Sequence, residues 1–163
     1  MVPITIFQVL LIISIVIYLS LNMIYLIRLY PVKEKLVTYP YISVCIPARN
    51  EERDIKKCVE SLLNQDYPNF EIIVVDDNSS DDTAKIVCSM LEEYSNLIFI
   101  AGAKLEPGWV GKSYALHQAY KKSRGQFFLF TDADLIYQPH AFKTAMQKMI
   151  SSDIDLLTLM PAA

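Results

Sequence analysis

Short, almost continuous apolar runs alternate along the chain with stretches in which apolar residues recur at helical spacing. Four of the short runs predict β-strands, at Ile42–Pro47, Glu71–Val75, Leu97–Ala101 and Phe127–Phe130. A fifth run, Leu156–Leu159, predicts that another strand begins near the end of the chain. Strands that are apolar on both faces are typical of a sheet covered on both sides.

Helices are predicted between these strands. The apolar positions that indicate them are Ile55, Val59, Leu62 and Leu63; Ala84, Val87, Cys88 and Leu91; those within Lys112–Arg124; and Phe142, Ala145, Met146, Met149 and Ile150. Ser80, Asp81 and Asp82 favour the start of the second helix as cap and first-turn acids, and Gly125 suits the end of the third. Alternating strands and helices predict an α/β fold, a mostly parallel sheet with helices on both faces.

The first part of the chain predicts a membrane anchor over residues 1–30. No charged side chain occurs from Met1 to Ile27, and a spanning helix needs roughly 20 apolar residues. Arg28, Lys33 and Lys35 follow the run and nothing basic precedes it. The positive-inside rule then predicts a single-pass protein of the cell membrane with its soluble part in the cytoplasm. A cleaved signal peptide would need a basic start and a small-residue cleavage site, and the sequence has neither.

After the anchor we expect a linker at residues 31–40, with two prolines and no periodicity, and then one domain over residues 41–163. Lys and Arg total 15 against 18 Asp and Glu, and this mildly acidic balance without a basic tract argues against nucleic acid as a partner. Cys45, Cys58 and Cys88 lack C-x-x-C spacing, so buried free thiols are expected in a reducing cytoplasm.

Polar residues follow three of the predicted strands, where parallel sheets bind ligands. Asp132 and Asp134 come directly after the fourth strand. Residues i and i+2 of an extended segment point to the same side, so the two carboxylates can converge on a divalent cation and a substrate diphosphate. The alternative is a surface turn with two solvated acids or a helix cap.

Two further positions permit a functional and a structural interpretation. Asp76 and Asp77 follow the second strand and either contact the ribose or base of a nucleotide or form an Asx turn before a helix. Lys112 stands at a predicted helix start, where a phosphate is favoured, or is a solvated surface lysine. Gly111-Lys112-Ser113 is not a P-loop, because Glu106 occupies the position of the first glycine.

Taken together, these segments resemble the family 2 glycosyltransferases, which have a GT-A (Rossmann-like) fold. The matching segments are Ile42–Glu51, Val74–Thr83, Gly111–Leu116 and Phe130–Asp134, in the family's order and spacing. The Gly108–Lys112 stretch and the N-terminal apolar segment look most like the subgroup that acts on carotenoid or hopanoid-type lipids.

The resemblance implies a role for each matching residue. Pro47, Ala48 and Glu51 would line a uridine pocket, Asp77 would contact the base with Asp76 nearby, and Lys112 would approach the nucleotide. Asp132 would contact the ribose or the metal, and Asp134 would hold Mn²⁺ or Mg²⁺ on the diphosphate. The implied reaction transfers a sugar, with inversion, from a UDP-sugar or a related donor to a lipid or polysaccharide acceptor.

The family's general base is an acidic residue well downstream of the D-x-D motif, so we expect it beyond Ala163 and expect residues 41–163 to be an incomplete donor-binding part. Asp153 and Asp155 are poor substitutes by position, and His117 replaces an asparagine often found in the family. A membrane-tethered nucleotide-sugar binding module without turnover, or a truncated remnant, stays open as an alternative. A nucleotidyltransferase is less favoured, because its glycine-rich and basic signature after the first strand is missing.

Overall fold

The structure is a computed structural model that describes residues 2–25 and 36–159. The chain divides into two compact units, residues 1–30 and residues 31–163. Residues 31–35 of the predicted linker lie outside the described residues, and residues 36–40 belong to no helix or strand.

The first unit contains helix α1 (Val2–Tyr25). Its side chains from residue 6 to residue 21 are exposed, Leu10 at 60% and Phe7 at 67%, for example. Within the described ranges, no helix is both long and apolar enough to cross a membrane. The transmembrane helix predicted for residues 1–30 is therefore unsupported by the structure: α1 ends at Tyr25, and the basic flank from Arg28 to Lys35 lies outside the described residues.

The second unit is built on a parallel sheet in the order β3-β2-β1-β4. Its strands are β1 (Ile42–Ala48), β2 (Phe70–Asp76), β3 (Leu97–Ala101) and β4 (Phe127–Phe130). β1 pairs in parallel with both β2 and β4, and β2 with β3. The predicted α/β fold with a parallel sheet is confirmed.

Helices cover both faces of this sheet. They are α2 (Ile55–Leu63), α3 (Thr83–Met90), α4 (Gly111–Lys122) and α5 (Ala141–Ser152). Successive residues of β1 point to opposite faces, and Val44 and Ile46 join the core beneath α2, α3 and α5, whereas Cys45 joins the core beneath α4. Both faces are apolar because both are covered, as the continuous apolar runs predict.

Three predictions about local structure are wrong. Leu156–Leu159 forms no strand: no partner strand pairs with it, and Leu156 is 84% exposed. Gly125 does not end a helix, since α4 ends at Lys122 with Ser123 in an extended conformation; a Cβ on Gly125 would lie 2.6 Å from Ser43 N, so the glycine is needed for close packing. Cys88 is exposed, because Thr83, Val87 and Met90 form the buried side of α3.

A buried carboxylate joins the amino ends of the strands to the end of α4. Glu71 is fully buried, and its Oε1 accepts hydrogen bonds from Ser43 Oγ (2.7 Å) and Arg124 N (2.8 Å). Its Oε2 accepts from Arg124 Nε (3.0 Å) and Nη2 (2.8 Å). This network holds the connection from α4 to β4 in place. It thereby helps to position α4, which carries Lys112, and β4, which leads into Asp132 at the opposite edge of the sheet.

Candidate functional site

A cleft of about 400 Å³ lies at the carboxyl edge of the sheet, beyond the ends of β1, β2 and β4. Its lining residues are Pro47, Ala48, Arg49, Glu51, Asp77, Val110, Gly111, Lys112, Asp132, Ala133 and Asp134. Ligands of parallel α/β sheets bind at this edge, so the cleft is the candidate site.

The two carboxylates after β4 face the cleft because successive side chains of this segment point to opposite sides. Asp132 and Asp134 are exposed, while Ala133 between them is 3% exposed and belongs to the core. Thr131 N donates to Cys45 O (3.2 Å), which continues the pairing of β4 with β1 up to the first aspartate. The small apolar residue in the middle therefore anchors the segment and leaves both acids on the same side.

Asp77 enters the cleft from the end of β2. Its backbone N donates to Ala48 O (2.8 Å), which holds the ends of β1 and β2 together. Its carboxylate is 3.6 Å from Arg49 Nη1 and only 16% exposed. Gly111 lies directly against it, since a Cβ on Gly111 would be 2.5 Å from Asp77 Oδ2. Only a glycine leaves room for this carboxylate at the start of α4.

Lys112 crosses the cleft from the first turn of α4 to the segment after β4. Its Nζ lies 2.6 Å from Asp132 Oδ1, with the two side chains 60% and 54% exposed. The backbone N–H groups at a helix start also favour an anion. Lysine and helix start together give this wall of the cleft a positive character opposite the acids.

The carboxylates around the cleft repel one another. Partial burial raises the pKa of the Glu51 carboxyl, and the negative charges of Asp134, Asp54, Asp81 and Asp132 raise it further. A divalent cation would relieve this repulsion, and carboxylate oxygens are the ligands that Mg²⁺ and Mn²⁺ prefer.

The described residues contain no group of three His, Cys, Asp or Glu side chains placed to hold a metal ion. Asp132 and Asp134 nevertheless fit a Mg²⁺-like ion, which is usually bound by one or two carboxylates together with substrate phosphates and water.

All the predicted site residues except Asp76 line the cleft. Asp76 is 9% exposed and does not belong to the lining. It is the last residue of β2, directly before Asp77, and adjacent side chains of an extended chain point to opposite sides. Its Oδ2 accepts a hydrogen bond from Ser79 N (3.3 Å), and its Oδ1 is buried without a hydrogen-bond partner among the described residues.

Sequence reasoning did not assign Arg49, Val110 or Gly111 to the site. Arg49 directly follows β1, and this position at the end of a parallel strand is the feature that could have indicated a place in the site. No signal in the sequence indicates that Gly111 contacts Asp77, since 34 positions separate the two along the chain. His117, one turn beyond Lys112, does not line the cleft and stacks on Trp109 with ring centroids 4.7 Å apart.

Comparison with known proteins identifies the family. The family model described as glycosyl transferase family 2 matches residues 43–159. The chain belongs to this family. Every residue that lines the cleft, from Pro47 to Asp134, lies within the matched range.

Curated relatives of this family 2 chain include larger enzymes. The chain is 36% identical over 104 residues to a β-monoglucosyldiacylglycerol synthase of Trichormus variabilis, covering 63% of this chain and 22% of the relative. It is 35% identical over 131 residues to the 4,4′-diaponeurosporenoate glycosyltransferase of Staphylococcus haemolyticus, covering 80% of this chain and 34% of that enzyme. The chain thus spans only between about a fifth and a third of the length of these relatives.

Solved structures agree with the fold. Residues 1–349 of TarS from S. aureus superpose with a TM-score of 0.58 at 33% identity, over 68% of this chain and 32% of that one. The mannosyltransferase PcManGT of Pyrobaculum calidifontis gives a TM-score of 0.64 at 24% identity, over 83% of this chain and 39% of that one. Both comparisons support the parallel α/β architecture of this family 2 chain.

Proposed function

We propose that this chain forms the donor-binding part of an inverting glycosyltransferase that takes its sugar from a nucleoside-diphospho-sugar, most simply a UDP-sugar. The observation that supports this most directly is the single cleft in which Asp77, Lys112, Asp132 and Asp134 meet, at the sheet edge where nucleotides bind in related folds. Structures of the relative TarS from S. aureus were solved in complex with UDP and with UDP-GlcNAc. This favours uridine as the base.

In this proposal, different residues of the chain bind the nucleoside and the diphosphate of the donor. Pro47, Ala48, Glu51 and Asp77 form the wall that takes the nucleoside. Lys112 and the start of α4 face the diphosphate with one full positive charge and several N–H groups. Lys112 is paired with Asp132 at 2.6 Å, so we expect donor binding to draw the lysine towards the phosphates and to release Asp132.

The divalent cation would be held by Asp134 and Asp132 together with the diphosphate. Bound there, it supplies Lewis-acid chemistry by neutralising charge on the departing nucleoside diphosphate. Ala133 holds the two aspartates on one side of the segment by packing in the core.

The acceptor is proposed to be a lipid or a polysaccharide. Two relatives are named for such acceptors: a β-monoglucosyldiacylglycerol synthase and the poly(ribitol-phosphate) β-N-acetylglucosaminyltransferase TarS, 34% identical over 119 residues. We do not propose Asp153 or Asp155 as the general base, since both are exposed and neither lines the cleft.

Titration of the full chain with UDP, with and without Mn²⁺, tests this proposal. We expect Mn²⁺ to tighten UDP binding, and Asp134→Asn to abolish that gain because one charged ligand is lost. Asp66→Asn is the matched control: Asp66, like Asp134, is an exposed carboxylate, but it pairs with Lys143 at 3.0 Å and lies outside the cleft. If Asp134→Asn and Asp66→Asn bind UDP and Mn²⁺ alike, the proposed site is wrong.

A binding module without turnover is the second candidate, since every role that we assign to the residues lining the cleft is a role in donor binding. Incubation with a UDP-sugar and candidate acceptors separates the two. Sugar transfer indicates the transferase, and binding without transfer or UDP release indicates the module.

We also propose that the N-terminal segment holds the protein at the cytoplasmic face of the cell membrane. The support is the uncharged run from Met1 to Ile27, the basic residues that follow it, and the exposed apolar side chains of α1. Carbonate extraction of cell membranes tests this. Release of the full chain into the soluble fraction would contradict the proposal.

A further inference from the structure

Two loops at the edge of the cleft are joined by a dense set of hydrogen bonds. The loop pair consists of residues 49–54, after β1, and residues 77–83, after β2. The bonds between the loops are Asn50 N to Ser79 Oγ (3.0 Å), Ser80 N to Asn50 Oδ1 (2.8 Å), Ser80 Oγ to Asn50 Oδ1 (3.2 Å), Glu51 N to Thr83 Oγ1 (2.8 Å), Glu52 N to Asp81 Oδ2 (3.2 Å) and Asp82 N to Glu52 Oε2 (3.1 Å). Almost all of them involve a backbone N–H, so they fix the course of the main chain.

The backbone of the loop pair is unusual at one position in each loop. Asn50 has φ 58° and Asn78 has φ 57°, both in the left-handed region. Asparagine tolerates this region better than most residues, yet each position still has a conformational cost that the surrounding contacts must offset. For Asn50, the bond that its N–H donates to Ser79 Oγ and the bonds that its Oδ1 accepts from Ser80 provide such contacts.

Thr83 is the buried centre of the loop pair. Its side chain is fully buried at the start of α3, although the residue is polar. Its Oγ1 accepts from Glu51 N (2.8 Å) and donates to Asp81 Oδ1 (2.5 Å), while its own N also donates to Asp81 Oδ1 (3.0 Å). Asp81 in turn accepts from Glu52 N, so one threonine and one aspartate determine the path of two consecutive residues of the other loop.

Glu51, whose N–H is bound by Thr83, is also a residue that lines the cleft. The carbonyl of Glu51 accepts from Asp54 N (3.1 Å) and Ile55 N (2.9 Å), which begins α2. Its N–H is bound to Thr83, so the main chain of Glu51 is held on both sides while its carboxyl reaches the cleft. Asp77, the cleft residue of the second loop, is held through Ala48 O.

We propose that Thr83 and Asp81 are positioning residues, which hold Glu51 in the position that the nucleoside part of the donor requires. The inference rests on the proposed function and adds to it two residues that do not line the cleft. The acids proposed to bind the metal, Asp132 and Asp134, follow β4 and lie outside the loop pair. Loss of Thr83 Oγ1 is therefore expected to weaken nucleotide binding without changing its dependence on Mn²⁺.

Thr83→Val in the full chain, purified in detergent, tests this, because valine keeps the shape of threonine and removes both hydrogen bonds. We expect the Kd for UDP to rise about tenfold, as for the loss of one or two buried hydrogen bonds. The ratio of the Kd values without and with Mn²⁺ should stay the same, in contrast to Asp134→Asn. Thr83→Ser retains the hydroxyl and should restore binding.

Thr144→Val is the matched control, since Thr144 is a buried threonine of α5 whose Oγ1 donates to His140 O (2.8 Å) away from the cleft. We expect it to lower the thermal midpoint by a similar amount with an unchanged Kd. If Thr83→Val does not melt cooperatively, Asp81→Asn is measured instead, where Oδ2 loses the bond from Glu52 N.

The outcomes separate the inference from the function on which it rests. If the unaltered chain binds no UDP, the proposed function and the inference are both overturned. If it binds UDP, and Thr83→Val (or Asp81→Asn in its place) binds equally well or no worse than Thr144→Val, the inference alone is overturned. A selective loss that Thr83→Ser restores supports it.

Discussion

Replacing Glu71 by glutamine tests whether one buried carboxylate stabilises the amino end of the sheet. The carboxylate accepts four hydrogen bonds, two on each oxygen, from Ser43 and Arg124. Glutamine has the same shape but only one accepting oxygen. Whichever way the amide is turned, its NH₂ group faces an N–H donor of Arg124, so at least one buried donor loses its acceptor.

The size of the effect follows from burial and charge. Removing one partner of a buried ion pair costs roughly 3–5 kcal/mol, because the other charge is left without compensation. Glu71 is fully buried, but the Arg124 side chain is 70% exposed and can be solvated when its partner is neutral. We therefore expect the free energy of unfolding to fall by about 3 kcal/mol, the lower end of that range.

The loss should depend on pH in a defined direction. Burial by itself raises the pKa of Glu71, but the hydrogen bonds from Ser43 and Arg124 outweigh it and hold the pKa below the ordinary value of 4.5. A carboxyl whose pKa is lower in the folded state stabilises the fold above its unfolded pKa. The difference between the unaltered chain and Glu71→Gln should be constant above pH 4.5 and shrink as the pH falls below it.

Urea unfolding of the full chain in detergent, followed by circular dichroism at several pH values, measures this difference. Glu60→Gln is the control, since Glu60 is 45% exposed and lies 3.8 Å from Lys56 on the surface of α2; its loss should cost less than about 0.5 kcal/mol. A Glu71→Gln variant as stable as Glu60→Gln at neutral pH would refute the reasoning, as would a difference that grows in acid.

Two further predictions concern the cleft and the thiols. Gly111→Ala should weaken UDP binding about tenfold in a titration, because the new Cβ would lie 2.5 Å from Asp77 Oδ2 and displace it. Ser113→Ala, at an exposed position in the same turn of α4 that does not line the cleft, is the comparison, and equal Kd values for the two variants would argue against a role for Asp77. Thiol labelling of the native chain should modify exposed Cys88 first, while Cys58, whose pKa burial raises to about 12, and buried Cys45 react only on unfolding. Labelling of Cys58 at the rate of Cys88 would contradict the packing of α2.

Most of the secondary structure could be predicted from the sequence, because each strand and helix is specified by a local apolar pattern. β3 was predicted with its observed bounds, and β1, β2 and β4 to within a residue. Leu156–Leu159 shows the limit of this reasoning. Its pattern matches that of the true strands, but a strand exists only where a neighbour offers hydrogen-bond partners, and none of the strands in the described part of the chain pairs with it.

The candidate site could be predicted in part for a related reason. Asp77, Lys112, Asp132 and Asp134 were selected because each follows a strand or begins a helix, and parallel strands bring all such ends to one edge. Their roles in binding stay predictions. The sequence also gave no means of separating Asp76 from Asp77, because the choice depends on which of two adjacent side chains faces the cleft.

The sequence by itself determined the order of strands and helices, the parallel sheet and the edge at which the polar residues gather, because these follow from local apolar patterns and the geometry of strand–helix–strand units. Only the tertiary structure decided which residues touch: Gly111 against Asp77, Lys112 beside Asp132, Thr83 beneath Glu51, and Arg124 on Glu71. These pairs are distant along the chain, and their contacts arise only when close packing brings separate elements together.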